Sequence, residues 1–186
     1  QANKMMRAIL EDGRLIPWYT IEETGKSDPQ EEISQAIDVG LADIPSQIIG
    51  TFPITLEPTV LISTQSGTGA INPNLKVSGE DALLRARSVR TSLEQRYGPA
   101  IAEAANVGYG ASVKSSNSQE IFSQHSVKNA LIGGASLEAD EFFNLVVNGM
   151  ERSADAVMIT LRNTQNYVLS SGIISLPISS ISFSAS

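Results

Sequence analysis

Asn129–Leu137 reads NALIGGASL, and its Gly134-Ala135-Ser136 repeats the Gly110-Ala111-Ser112 of Asn106–Val113, NVGYGASV, at a spacing of 24 residues. Each stretch is an apolar run too short for a helix that empties through small residues into a segment with helical patterning. A strand, a glycine turn and a helix, occurring twice in succession, predict consecutive βα units and hence parallel strands.

Upstream, the same alternation continues. Ser78 and Asp81 form a capping box ahead of Leu83, Ala86, Val89 and Leu93, with Arg85, Arg87, Arg90 and Glu94 expected on the outer side. That helix is expected to stop at Gly98-Pro99. Before it, Ile48–Thr64 is apolar and β-branched and runs into the loop Gln65–Pro73, so it reads as a strand entering a glycine-rich loop. Earlier still, Asp28 caps a helix with Pro29 in its first position and Ile33, Ala36, Ile37, Gly40 and Leu41 along one face, ended by Pro45. Arg14–Ile21, RLIPWYTI, reads as a strand, and Asn3–Glu11 as a short helix closed by Gly13. Downstream, a helix is expected from Ala139 to Val147, stopping at Asn148-Gly149. The pattern divides the chain into an α/β body at 1–150 and an extension at 151–186.

The extension differs in kind. No charge follows Arg162, and eight of the last seventeen residues are serine, interleaved with apolar residues such as Ile173, Ile178 and Phe183. Two readings stand: a strand, since Ile181, Phe183 and Ala185 alternate with serines, or a disordered serine-rich end.

Composition narrows the chemistry. The 186 residues carry 13 basic and 20 acidic side chains, a formal charge of -7 that repels nucleic acid and anionic membrane surfaces. With no cysteine and one histidine, His125, thiolate and multi-histidine metal sites are excluded. No run of about 20 uncharged apolar residues predicts a membrane span. The Gly-Ala-Ser repeats place two helix N-termini at one edge of a parallel sheet, where amides bind phosphate without Lys or Arg. Gly110, Gly133 and Gly134 let a ligand approach the backbone, or they serve only to make tight turns. Glu57, at the end of its strand before Pro58, is the candidate general base, or else a solvated or salt-bridged carboxylate.

These residues carry a resemblance. From Asn3 to Asn148 the chain resembles the second half of triosephosphate isomerase, a (β/α)8 barrel that interconverts dihydroxyacetone phosphate and glyceraldehyde 3-phosphate. LIPWYTIEETGK (15–26) resembles the family's fifth strand and its loop, and TLEP (55–58) the strand end with the catalytic base. Gly67-Thr68-Gly69 resembles the end of the mobile lid, YGASV (109–113) the seventh-strand phosphate loop and LIGGASL (131–137) the eighth. The resemblance implies the parallel half of a TIM (β/α)8 barrel with a Ser-rich C-terminal extension. It assigns Glu57 as the base and Gly67, Gly69, Ser112, Gly133 and Gly134 to the substrate phosphate. It calls for no cofactor and no metal. It implies a cytoplasmic protein, with an organellar assembly as the alternative.

The departures matter too. The family's carbonyl-polarising His and enediolate-stabilising Lys belong to the other half of the barrel, and His125 does not align with either. The lid is longer, and Glu22-Glu23 stands where the family's strand ends Gly-Glu. An open half barrel has two unpaired edges, so a protein partner or self-association is expected to cover it. The chain is therefore expected to be a non-catalytic structural subunit of a larger assembly. The competing reading is a genuine isomerase whose other half is elsewhere.

Overall fold

The computed structural model describes residues 1–62, 76–150 and, as backbone, 158–161. Five strands are joined by helical crossovers: β1 (Tyr19–Glu23), β2 (Pro53–Pro58), β3 (Asn106–Tyr109), β4 (Asn129–Ile132) and β5 (Met158–Leu161). Their order in the sheet is their order in the chain, and every neighbouring pair is parallel. The helices are α1 (Ala2–Asp12), α2 (Pro29–Gly40), α3 (Gly79–Tyr97), α4 (Pro99–Ala104), α5 (Ser115–Phe122) and α6 (Ala139–Met150). This is the α/β architecture of part of a (β/α)8 barrel. Its all-parallel ladder explains why all strand ends, and with them all βα loops, lie at one edge.

Local signals account for most element boundaries. Asp28 accepts from the amides of Gln30 and Glu31, with Pro29 opening α2. The Ser78 hydroxyl accepts from the Asp81 amide and the Asp81 carboxylate from the Ser78 amide, which starts α3. Gly13 ends α1 at φ 70, the left-handed cap that glycine adopts without strain. Asn3 on α1 donates to the carbonyls of Gly40 and Ala42, satisfying the exposed end of α2.

Several expectations are corrected. The strand expected at 14–21 begins only at Tyr19, and the strand expected from Ile48 begins at Pro53, because Ser46–Thr51 winds into a 3-10 turn after Pro45. The helix expected to end at Val147 runs through Asn148-Gly149 to Met150. Gly149 does not end it but lets α6 approach α5, since a Cβ there would lie 2.9 Å from the Phe122 ring. Leu83 is only half-buried and Ala82 takes its place on the core face of α3. Arg85 and Arg90, expected outside, turn inward. Arg90 donates to the carbonyls of Ala102, Ala105 and Ser126 and so ties α4 to the approaches of β3 and β4. The alternating stretch 181–186, with the rest of the serine-rich end, lies outside the described residues.

The two faces of the sheet have different tasks. Tyr19, Ile21, Leu56, Val107, Tyr109 and Ile132 alternate onto the helix side and are all buried. Tyr19 donates its hydroxyl to the Ala36 carbonyl at 2.6 Å and fits against Gly40, where a side chain would overlap its ring. Burial, with Tyr97 adding, pushes the Tyr19 hydroxyl up to about 12. The opposite face is polar. Trp18 Nε1 donates to Thr55 Oγ1 at 2.8 Å, Thr55 Oγ1 donates to Asn129 Oδ1 at 2.6 Å, and Asn129 Nδ2 donates to the Asn106 carbonyl at 2.9 Å. Thr55 and Asn129 are fully buried, so this chain of bonds meets the demand of buried polar groups for partners.

Candidate active site

Parallel register places the sequence-derived candidates on one edge. Glu57 is the penultimate residue of β2, Ser112 follows β3, and Gly133 and Gly134 follow β4. β2, β3 and β4 are adjacent, so their carboxyl ends bring these loops side by side. Gly67 and Gly69 lie outside the described residues.

Glu57 projects from the polar face of β2, because it alternates with Thr55. Its Cα partner on β1 is Glu22. Neighbouring parallel strands lie about 4.8 Å apart, so two carboxylates stand abreast at the head of the sheet. Glu22 is exposed and Glu57 half-buried. Composition alone did not single out Glu22 as a neighbour of the base; only the strand register reveals it.

Ser112 has a left-handed backbone, φ 46, which turns the chain sharply out of β3. Its hydroxyl donates to the Leu61 carbonyl at 2.9 Å, holding the short 3-10 turn Thr59–Leu61 that leaves β2. The other side of that turn is held by Thr59 Oγ1, which donates to the Glu23 carbonyl at 3.0 Å. The segment after the candidate base is thus fastened to both neighbouring strand ends. Gly133 and Gly134 are exposed, and no atom of the described residues lies within 4 Å of where a side chain would sit. Gly110 differs: a Cβ there would lie 2.9 Å from Leu131, so this glycine serves packing.

The two Gly-Ala-Ser repeats do not present equivalent helix N-termini. Gly134–Leu137 forms a 3-10 turn, and α6 starts only at Ala139. At the other repeat, α5 begins at Ser115, and its first amide donates to Glu141 Oε1 at 2.8 Å while the Ser115 hydroxyl donates to Oε2 at 2.7 Å. The Ser115 bonds hold the Glu141 carboxyl below the usual carboxylate range. The anion at the N-terminus of α5 is therefore the protein's own, a role no local motif disclosed.

Behind this edge, on the helix side, Glu23 is 2% exposed and accepts two bonds from Arg85 on α3, at 2.8 Å from Nε and 3.0 Å from Nη2. Tyr109 lies in the field of the same pair and of Asp81; burial is the main cause that pushes its hydroxyl up. Glu32 organises the loop after β1: its carboxylate accepts from the amides of Thr24, Lys26 and Ser27. Those bonds, Ser27 first and Thr24 next, bring its carboxyl down to about 2.

His125 is exposed in the turn before β4, at the edge of the sheet opposite to Glu57. Among the described residues, no group of three His, Cys, Asp or Glu side chains is placed to hold a metal ion, and no helix is long and apolar enough to cross a membrane.

The chain as a whole is similar to known proteins. The family model described as triosephosphate isomerase matches residues 2–149. The triosephosphate isomerase of Alkaliphilus oremlandii is 34% identical over 146 residues, covering 77% of this chain and 55% of that protein. That of Chlorobium phaeobacteroides is 35% identical over 147 residues, covering 77% of this chain and 54% of that protein. The crystal structure of triosephosphate isomerase from Bartonella henselae superposes with a TM-score of 0.59 at 23% identity, over 79% of this chain and 56% of that one, a likeness of fold. The chain spans about half the length of the curated relatives it matches. With the family model matching residues 2–149 and relatives more than 30% identical over 77% of its length, this chain belongs to the triosephosphate isomerase family.

Proposed function

We propose that this chain is an isomerase-derived protein that keeps an anion site on its βα loops but does not turn over triose phosphates by itself, and that it serves as a structural subunit of a larger assembly. The observation that carries this reading is the uneven content of the carboxyl edge. It has a candidate base, Glu57, and the exposed glycine backbone of Gly133 and Gly134 near the loop of Ser112, while the one histidine of the chain is at the opposite edge. A proton taken from carbon leaves an enediolate, whose oxygens need a cation or a proton donor poised against them. Losing such electrostatic stabilisation costs about a hundred- to a thousand-fold per donor. Glu22, abreast of Glu57, adds negative charge to the edge at which a dianionic phosphate would bind.

A coupled assay on the purified chain tests the catalytic half of the proposal. The expected result is no turnover above buffer; activity within about tenfold of an ordinary family member, abolished by Glu57→Gln, overturns it. The binding half is tested by titrating inorganic phosphate while following the amide resonances of 112, 133 and 134. Saturable shifts at millimolar phosphate that vanish in Gly134→Asp support the site, and their absence overturns it.

The second reading, an isomerase completed by another half barrel, is favoured by the position of Glu57 at the loop edge. Adding a polypeptide with the first four βα units of the Alkaliphilus oremlandii enzyme would then generate Glu57-dependent turnover.

A further inference from the structure

We infer that Met158–Leu161 takes the place of the first strand of a closed barrel, and that this self-supplied strand bars a complementary half barrel from the β4 edge. In a closed (β/α)8 barrel each unit adds a parallel strand on the same side, and closure sets the first strand against the last. Here the last strand of the family-matched region is β4, since the match ends at residue 149. Beyond it, the backbone of β5 pairs with β4 in parallel, Asn129 with Met158, Ala130 with Ile159, Leu131 with Thr160 and Ile132 with Leu161. All four β4 positions are paired, and the direction is that of a barrel's closing strand. The segment that does this lies outside the family match.

The consequence concerns partners. A sheet edge offers unpaired N–H and C=O groups to any incoming strand, and an edge already paired does not. A half barrel bringing its own first strand must evict β5 to join β4, whereas β1, at the other end of the sheet, has β2 as its only strand neighbour among the described residues. The partner that fits is a four-unit βα half barrel, and β5 competes with it for the same row of backbone groups. This inference does not depend on whether the loops bind phosphate.

The absence of native cysteine makes the test direct. Ala130→Cys with Ile159→Cys places thiols on Cα partners of adjacent strands, within the span a disulfide bridges. In the otherwise unaltered chain, mild oxidation is expected to give one intrachain disulfide, and the half-barrel polypeptide named above is expected to bind the reduced form at least about tenfold more tightly than the locked form. Failure of the cross-link in a double variant with unchanged circular dichroism overturns the placement of β5. Equal binding to locked and reduced forms overturns the exclusion. A second measurement needs no thiols: Ile159→Pro removes a ladder donor, so hydrogen exchange at 129–132 should accelerate at least about tenfold. Unchanged exchange there overturns the pairing.

Discussion

Glu23 and Arg85 are 62 residues apart in sequence and meet as a two-pronged ion pair between the end of β1 and the first half of α3, with the carboxylate 2% exposed. A buried carboxylate stripped of its partner retains its desolvation cost without the compensating attraction. Arg85→Ala is therefore expected to destabilise the fold by about 3–5 kcal/mol, read as a fall in the urea midpoint at unchanged slope. Glu23→Gln combined with Arg85→Met should recover much of that loss. If Arg85→Ala leaves the midpoint within error, the pair is not the anchor described.

Gly108 is required by Asn129. A side chain at 108 would collide with the Asn129 amide and would lie 2.5 Å from its backbone carbonyl. Gly108→Ala should cost about 1–3 kcal/mol, as expected for overpacking. Asn129→Ala on top of it should not restore stability, because the carbonyl remains and Thr55 loses its acceptor. Full recovery in the double variant would locate the clash in the side chain alone.

Tyr109 is fully buried and, among the described residues, its hydroxyl has no hydrogen-bond partner. Deleting an unsatisfied buried hydroxyl removes a desolvation penalty. Tyr109→Phe is expected to be neutral or to stabilise by about 1 kcal/mol, measured by thermal or urea unfolding. A loss above about 1 kcal/mol would reveal a partner for that oxygen.

Acid sensitivity follows from Glu32. Its folded-state carboxyl is held at about 2 against an ordinary 4.5, so its contribution is fully present above pH 4.5 and is lost as pH falls toward 2. Glu141, lowered by its Ser115 bonds, acts in the same direction. In Glu32→Gln the urea midpoint should fall less steeply over that window than in the parent chain. Parallel profiles would exclude Glu32 as a source of the slope.

What the sequence discloses here is what is local. The Ser78–Asp81 box and the Asp28-Pro29 start are legible because donor and acceptor lie within a helical turn. The common edge of Glu57, Ser112, Gly133 and Gly134 is legible because alternating strands and helices imply a parallel sheet, which gathers all strand ends. Contacts between distant segments are not legible in this way. Arg85 has the pattern of a surface residue until Glu23 is placed beside it, and Glu141 that of an ordinary first-turn acid until Ser115 meets it. Ile48 to Thr51 has strand composition, yet a 3-10 turn wins after Pro45. MITL at 158–161 is too short to announce a strand, and only the waiting edge of β4 makes it one.

The strictly sequential strand order has a consequence for how the chain is built. Among the described residues each strand pairs only with its neighbours in sequence, across a connection that carries one or two helices. No strand must wait for a segment synthesised several units later, so each closure spans one βα unit and its entropy cost grows only slowly with length. During synthesis β1 and β2 can pair as soon as α2 has formed, and each later unit docks onto a finished edge. By the same logic, loss of the last unit frays one end of the sheet without unthreading the rest, as in proteins made of stacked repeats.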